Sequence, residues 1–135
     1  HRDTEYGHPD PGFMILAYRQ PPAKVTRPSP HDHGVCWVAY GVATGSNLQR
    51  RYSFKYPEDR AQMPGLQEVQ SVLQEPGDVD YFLPGEIHST QGSATEETVY
   101  VRVTSMDLDG VQRHRYNDQT GQSVAFRSVT AKQPR

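Results

Sequence analysis

The chain has 135 residues, of which 34% are hydrophobic and 22% are charged, and its formal net charge is -2. This length suits a single domain, expected over residues 1–135 with polar ends at about 1–10 and 130–135. Lysine and arginine are spread along the chain, which excludes a basic surface for nucleic acid or anionic lipid. With no long apolar run and no signal peptide, we expect a soluble, cytoplasmic protein whose partner is a small molecule.

Eleven prolines and eleven glycines divide the sequence into short apolar or alternating segments, a pattern typical of all-β proteins. The segments that predict strands are Phe13–Tyr18, Val35–Ala43, Leu48–Tyr56, Glu68–Gln74, Val79–Leu83, Thr98–Ser105, Gln112–Tyr116 and Val124–Phe126. Short strands of this number favour a sandwich or a barrel. Only Glu58–Gln62 predicts a turn of helix.

Three histidines lie in two compact segments, His31 and His33 in SPHDHG and His88 in PGEIHS. Residues i and i+2 of a strand point to the same face, so the first two imidazoles can meet at one point. A tight turn at Pro84-Gly85 can direct His88 to the same point as a third ligand. Each histidine alone also suits a polar turn, but together they predict a metal site. Cys36, the single cysteine, excludes an internal disulfide and a multi-cysteine zinc site.

The segments PHDHGVCWVAYGVATG and GDVDYFLPGEIH resemble the two motifs of the cupin superfamily, the first with HxH and the second with PGxxH. The resemblance implies an all-β cupin fold, that is, a double-stranded β-helix or jelly-roll barrel. Cupins ordinarily add a glutamate ligand shortly after HxH, but GVCWVAYG contains no carboxylate. This sequence therefore differs from the ordinary cupin motif and predicts a site of three histidines.

The stretch FMILAYRQPP, SPHDHG and the later RYNDQTG resemble the cysteine dioxygenase (thiol dioxygenase) family, from about Phe13 to Gly121. This resemblance implies that His31, His33 and His88 bind Fe(II) and that O2 is added to a small anionic thiol, such as cysteine or 3-mercaptopropionate, giving a sulfinate. Three neutral imidazoles leave adjacent coordination positions open, which suits that chemistry. Ligand type alone does not separate Fe(II) from Ni, Mn or Zn.

Members of that family carry a Ser-His-Tyr set on the strand after the third ligand, where this chain reads VYVRVTSM. If one face of this strand points inward, it presents Tyr100, Arg102, Thr104 and Met106. The family's histidine and tyrosine then fall near Thr104 and Met106, so the set is absent. Facing inward, Arg102 can clamp a substrate carboxylate in place of the family's arginine from the N-terminal region; facing outward, it is a solvated charge.

The candidate catalytic residues are therefore Arg102, Tyr18 and Tyr100, with Arg2 and Arg19 as weaker candidates for the carboxylate clamp. Tyr18 suits a position lining the substrate pocket, or equally a core tyrosine with a bonded hydroxyl. We expect Asp32 to point away from the metal and to bond a backbone group or an imidazole. Packing explains Trp37 and Tyr40, and Cys36 is expected to be a small buried residue.

Four functions fit the sequence. The first is the Fe(II) dioxygenase acting on a thiol, and the second uses the same three histidines on a non-thiol chelating substrate such as a diketone. The third is a metal-dependent lyase or isomerase in which Zn, Ni or Mn acts as a Lewis acid. The fourth is a non-catalytic metal-binding cupin. A homodimer that pairs an exposed strand edge near the N-terminus is also expected.

Overall fold

A computed structural model of the chain describes residues 12–22, 27–59 and 61–128, and these ranges form strands without a helix. The strands are β1 Met14–Gln20, β2 Val38–Thr44, β3 Asn47–Lys55, β4 Gly65–Gln74, β5 Val79–Phe82, β6 Ile87–Gly92, β7 Thr98–Thr104, β8 Gln112–Tyr116 and β9 Ser123–Arg127. The predicted all-β class is confirmed. In the described ranges no helix is long and apolar enough to cross a membrane. The predicted polar ends, and Arg2 with them, lie outside the described residues.

The structure contains one strand that the sequence does not predict. This is β6, whose sequence IHSTQG is mostly polar and lacks the alternation that marks a half-buried strand. The turn of helix expected at Glu58–Gln62 includes Arg60, which lies outside the described residues; of its neighbours, Gln62 donates its N–H to the carbonyl of Asp59 at 3.1 Å. The Asp59 carboxylate also accepts the N–H of Ala61 at 2.9 Å, a local bond that competes with helix formation.

The strands form a four-stranded sheet in the order β1-β7-β2-β5, a three-stranded sheet in the order β4-β3-β6, and the hairpin β8-β9. His31 joins the last two, because its backbone pairs with His88 of β6 on one side and with Arg115 of β8 on the other. The edge position of β1 leaves one side of this strand unpaired within the described residues. Dimerisation through that edge stays a prediction.

The interior is partly apolar and partly polar. One apolar cluster contains Met14, Cys36 and Leu108, and a second contains Val38, Tyr40 and Phe82. Polar side chains are buried beside them: Asp32, His33, Asn47, Gln49, Gln74, His88, Ser89, Thr98, Thr104 and Arg113. An interior of this kind suits a ligand-binding site. Buried polar groups are costly unless they have hydrogen-bond partners, and a ligand can supply such partners.

The sequence predicts that His31 and His33 lie two positions apart on one regular strand. The structure shows that they do not. His31 makes only an isolated bridge, β2 begins at Val38, and between them the chain turns, with the N–H of Cys36 on the carbonyl of His33 at 3.1 Å. Gly34 occupies this turn with φ of +59°. The position needs glycine, because a Cβ there would lie 2.3 Å from the carbonyl oxygen of Gln112.

We expect Gly34→Ala to lower stability by several kcal/mol, about 1–3 kcal/mol of it from backbone strain and the rest from the clash with β8. Gly85→Ala is a matched control, because Gly85 also has positive φ but a Cβ there meets nothing within 4 Å. Urea unfolding of the two variants separates the clash from the strain. Equal losses of stability in both would show that Gly34 is not needed for the close approach of β8.

Candidate metal centre

Backbone hydrogen bonds place the first and third predicted ligands side by side. The N–H of His31 donates to the carbonyl of His88 at 2.8 Å, and the N–H of His88 donates to the carbonyl of His31 at 2.9 Å. The chain reaches β6 through the predicted turn at Pro84-Gly85, where the N–H of Glu86 donates to the carbonyl of Leu83 at 3.1 Å. Proline followed by a glycine with φ of +78° suits this turn.

The three side chains converge inside the barrel. One ligand atom from each of His31, His33 and His88 lies within 4.8 Å of the others. Their ring centroids are 4.6 to 5.1 Å apart. His33 and His88 are buried, at 2% and 0% exposure, and His31 is partly exposed. In the described part of the chain no cysteine or carboxylate joins this group.

A ladder of side-chain amides fixes the tautomer of His88. The Nδ1 of His88 lies 3.3 Å from Oε1 of Gln49, and Nε2 of Gln49 donates to Oε1 of Gln74 at 3.0 Å. Nε2 of Gln74 donates in turn to the backbone carbonyl of Tyr40 at 3.1 Å. Because each amide nitrogen has an acceptor, the oxygen of Gln49 faces the imidazole, so Nδ1 carries the proton and Nε2 keeps its lone pair.

The other two ligands are also held from behind. Nδ1 of His31 lies 3.3 Å from the carbonyl of Ser29, which again leaves the lone pair on Nε2. Nε2 of His33 lies 3.3 Å from the hydroxyl of the buried Tyr40. Nδ1 of His33 and Nε2 of His88 are buried and have no hydrogen-bond partner. Unsatisfied ring nitrogens in a buried imidazole cluster fit a bound divalent metal ion.

All three imidazoles are held neutral, as metal ligands must be. Burial, opposed only in part by the bond to Ser29, lowers the pKa of His31 to about 4. Burial, together with the nearby His31 and Arg102, lowers the pKa of His33 to about 2. Burial and the neighbouring imidazoles lower the pKa of His88 well below its usual value. Protons therefore compete weakly for this cluster at neutral pH.

Asp32 points away from the three rings, as predicted. Its carboxylate accepts the N–H groups of Gly34 at 3.0 Å and His114 at 3.1 Å, the hydroxyl of Tyr116 at 2.8 Å, and contacts Nδ1 of His114 at 3.1 Å. Burial raises the pKa of Asp32, but these hydrogen bonds outweigh burial and lower it. The imidazole that it contacts is not a ligand, so its role is to fasten the ligand segment to β8.

Gln49→Leu removes the acceptor behind His88, so we expect about 10- to 100-fold weaker metal binding without loss of the fold. Titration of the metal-free protein with Co(II) measures this. Gln67→Leu, on the exposed strand β4, is the control. Unchanged affinity in Gln49→Leu would mean that the amide ladder does not orient the ligand.

The predicted catalytic candidates lie together on the inner face of the four-stranded sheet. Tyr18 pairs with Tyr100 in register, and their rings stack with centroids 5.0 Å apart. Arg102 pairs with Tyr40 and places its guanidinium carbon 5.1 Å from the centre of the Tyr18 ring. The inward orientation is therefore the observed one, and the catalytic roles of these residues stay predictions. Thr104 is buried in the same strand, and its hydroxyl donates to the carbonyl of Met106.

The remaining candidates are resolved differently. Arg19 pairs with Glu97 at 2.7 Å and is largely exposed, so it does not serve the site. Trp37 is 40% exposed, which contradicts the expectation of a core tryptophan, whereas Cys36 is fully buried as expected.

Tyr40 and Gln49 contact the three histidines, and sequence reasoning missed both. Tyr40 was assigned to packing, because a tyrosine that alternates with valines on β2 looks like core. Burial raises the pKa of Tyr40, so its phenol keeps its proton beside His33. From the sequence, Gln49 is expected to point outward from its strand. A glutamine on each of two neighbouring strands is nevertheless a signal for an amide ladder.

No protein-family model matches the sequence, and a search of the curated proteins finds no significant match. Solved structures do resemble it. Peruvianin-I, a cysteine peptidase from Thevetia peruviana latex, matches with a TM-score of 0.51 and 19% identity over 70% of this chain and 51% of its own. An uncharacterized conserved protein with a double-stranded β-helix domain, from Klebsiella pneumoniae subsp. pneumoniae MGH 78578, matches with a TM-score of 0.51 and 14% identity over 78% and 76%.

An oxalate oxidase matches with a TM-score of 0.50 and 18% identity over 84% of this chain and 45% of its own. The chain thus spans about half the length of two of these three proteins. At these identities the likeness concerns the fold alone. It confirms the predicted cupin fold, a double-stranded β-helix.

Proposed function

We propose that His31, His33 and His88 hold one Fe(II) ion and that the chain is a non-heme dioxygenase that adds O2 to a small anionic thiol of the cysteine or 3-mercaptopropionate type. The observation that carries the proposal is the convergence of three neutral imidazoles within 4.8 Å, without a carboxylate in the group. An anionic substrate would supply the negative charge that such a ligand set lacks. Ni, Mn and Zn are the alternative metals.

Fe(II) bound there would supply open coordination positions for a chelating substrate and O2. The protein residues would orient the substrate. Arg102, with its Nε buried and unpartnered, offers a charged fork to a carboxylate. The stacked rings of Tyr18 and Tyr100 form one wall beside it. The phenol of Tyr40 offers a proton next to His33.

A cavity next to Tyr18 and Arg102 supports an enzyme rather than a filled, non-catalytic barrel. It has a volume of about 420 Å³ and is lined in part by Tyr18 and Arg102, within the usual range for small-molecule sites, about 300–1,000 Å³. A non-catalytic metal-binding cupin would not need such a space.

A dioxygenase acting on a non-thiol chelating substrate is the second candidate. It is favoured by the inner face of β7, which presents Tyr100, Arg102 and Thr104 rather than the Ser-His-Tyr set of thiol dioxygenases. This strand lacks the tyrosine that, in thiol dioxygenases, helps to position the thiol and O2.

The test is O2 uptake by protein reconstituted anaerobically with Fe(II), measured with cysteine, 3-mercaptopropionate and a diketone, with His88→Ala as control. Thiol-dependent uptake with formation of sulfinate, lost in His88→Ala, is the expected result. O2 uptake with the diketone alone would contradict the thiol dioxygenase and support the second candidate, a dioxygenase acting on a non-thiol substrate. Tight metal binding without any uptake would contradict the dioxygenase and leave a Lewis-acid lyase, isomerase or binding protein.

A further inference from the structure

The cavity lined by Tyr18 and Arg102 contains a second arginine. Arg113 of β8 lines it together with Arg102 of β7, and Asp109 and Ser128 contribute the other polar groups beside Tyr18. Arg113 is only 7% exposed. Its guanidinium contacts the hydroxyl of Ser128 and covers the ring of Phe126 at 4.6 Å.

These two guanidinium groups lack the carboxylate partners that other arginines of the chain have. Arg19, Arg27, Arg50 and Arg51 form ion pairs, and Arg51 holds Asp80 with two bonds of 2.8 and 2.9 Å. Arg102 and Arg113 form none among the described residues, and Nε of each is buried without a partner. Arg113 is buried and Arg102 is partly buried. Withdrawing a cation from water without a counter-charge is costly, and a bound anion would offset that cost.

Both arginines lie near the three histidines. Arg102 is the register partner of Tyr40, whose hydroxyl contacts His33 at 3.3 Å. Arg113 immediately precedes His114, which contacts Asp32 between the two ligands of the HxH segment. Tyr40 therefore connects Arg102, which lines the cavity, to the cluster of three histidines.

We propose that Arg102 and Arg113 form a two-point site for a small dicarboxylate, with one carboxylate on each guanidinium group, so that the thiol substrate of the proposed function carries two carboxylates. The inference rests on the proposed function only in assigning this anion as the substrate. Two forks carried by different strands suit two separate carboxylates better than one compact anion, because each planar fork binds a carboxylate through two parallel bonds. Among the described residues that line the cavity, Asp109 is the one carboxylate beside two guanidinium groups.

The test uses calorimetric titration of the metal-free protein at fixed salt with succinate, propionate and sulfate. We expect succinate to bind about 10- to 100-fold more tightly than propionate, since a charge-assisted hydrogen-bonded pair is worth that much. Arg113→Met should abolish this preference. Arg115→Met is the matched control, because Arg115 lies on the same strand and covers the same Phe126 ring at 4.4 Å but does not line the cavity.

Arg113→Met should also raise the melting temperature of the anion-free protein, because it removes an uncompensated buried charge. A lower melting temperature would mean that Arg113 is a structural residue and would overturn the proposal. Equal binding of succinate and propionate, equal binding of sulfate and succinate, or a preference that survives in Arg113→Met would do the same. Because no metal or O2 is present, these results are independent of whether the dioxygenase proposal holds.

Discussion

His88→Ala is expected to lose stoichiometric metal binding. The substitution removes one of three imidazoles and leaves two, of which His31 is partly exposed. Loss of a partner behind a metal ligand costs about 10- to 100-fold in affinity, so loss of the ligand itself should cost more than about 100-fold. Co(II) titration, followed by the visible absorption of the bound ion, measures the affinity.

His114→Ala is the matched control for this prediction. His114 is also a histidine close to the HxH segment, but its Nδ1 contacts Asp32 rather than the three rings. We expect His114→Ala to keep one metal per chain with only modestly weaker affinity. Equal losses in both variants would place the metal elsewhere or spread it over several histidines.

The metal-free protein is expected to lose stability steeply as the pH falls from about 6.5 toward 4. An unfolded histidine has a pKa of about 6.5, whereas the folded pKa values of His31, His33 and His88 are all lowered. Between these limits the unfolded chain binds protons that the folded chain does not, so the free energy of unfolding falls as the pH falls. Each histidine contributes about 1.4 kcal/mol per pH unit, and the three together about 4 kcal/mol.

Urea unfolding of the metal-free protein at pH 6.5, 5.5 and 4.5 tests this dependence. His88→Gln provides the internal comparison, because it removes one of three titrating groups and should reduce the slope by about a third. The stability from neutral imidazoles is fully present above pH 6.5 and is lost as protons bind below it. A flat profile over this range would show that the buried histidines do not form a neutral cluster.

The cluster of three histidines could be predicted from the sequence because its residues come in two short motifs. SPHDHG and PGEIHS each place histidines beside turn-forming residues, and the turns at Gly34 and Gly85 occur where those residues stand. The order of strands in the sheets, however, decides what surrounds the ligands. Arg113 on β8 and Arg102 on β7 line the same cavity although these two strands lie in different sheets.

Local pattern also misjudged residues whose role depends on distant strands. Gln49 and Gln74 lie 25 positions apart and meet only through the pairing of β3 with β4. Tyr40 resembles a packing residue until His33 is placed against its hydroxyl. Strand β6 escaped prediction because its inward groups, His88 and Thr90, are polar. Rules that expect buried residues to be apolar therefore fail where the interior of the fold is polar.

The most direct test of a three-histidine iron site is X-ray absorption at the iron edge of the Fe(II)-loaded protein without substrate. We expect one iron per chain, coordination by nitrogen and oxygen only, and the scattering pattern of three imidazoles from His31, His33 and His88. A sulfur ligand, fewer than three imidazoles, or failure to take up stoichiometric Fe(II) would contradict it.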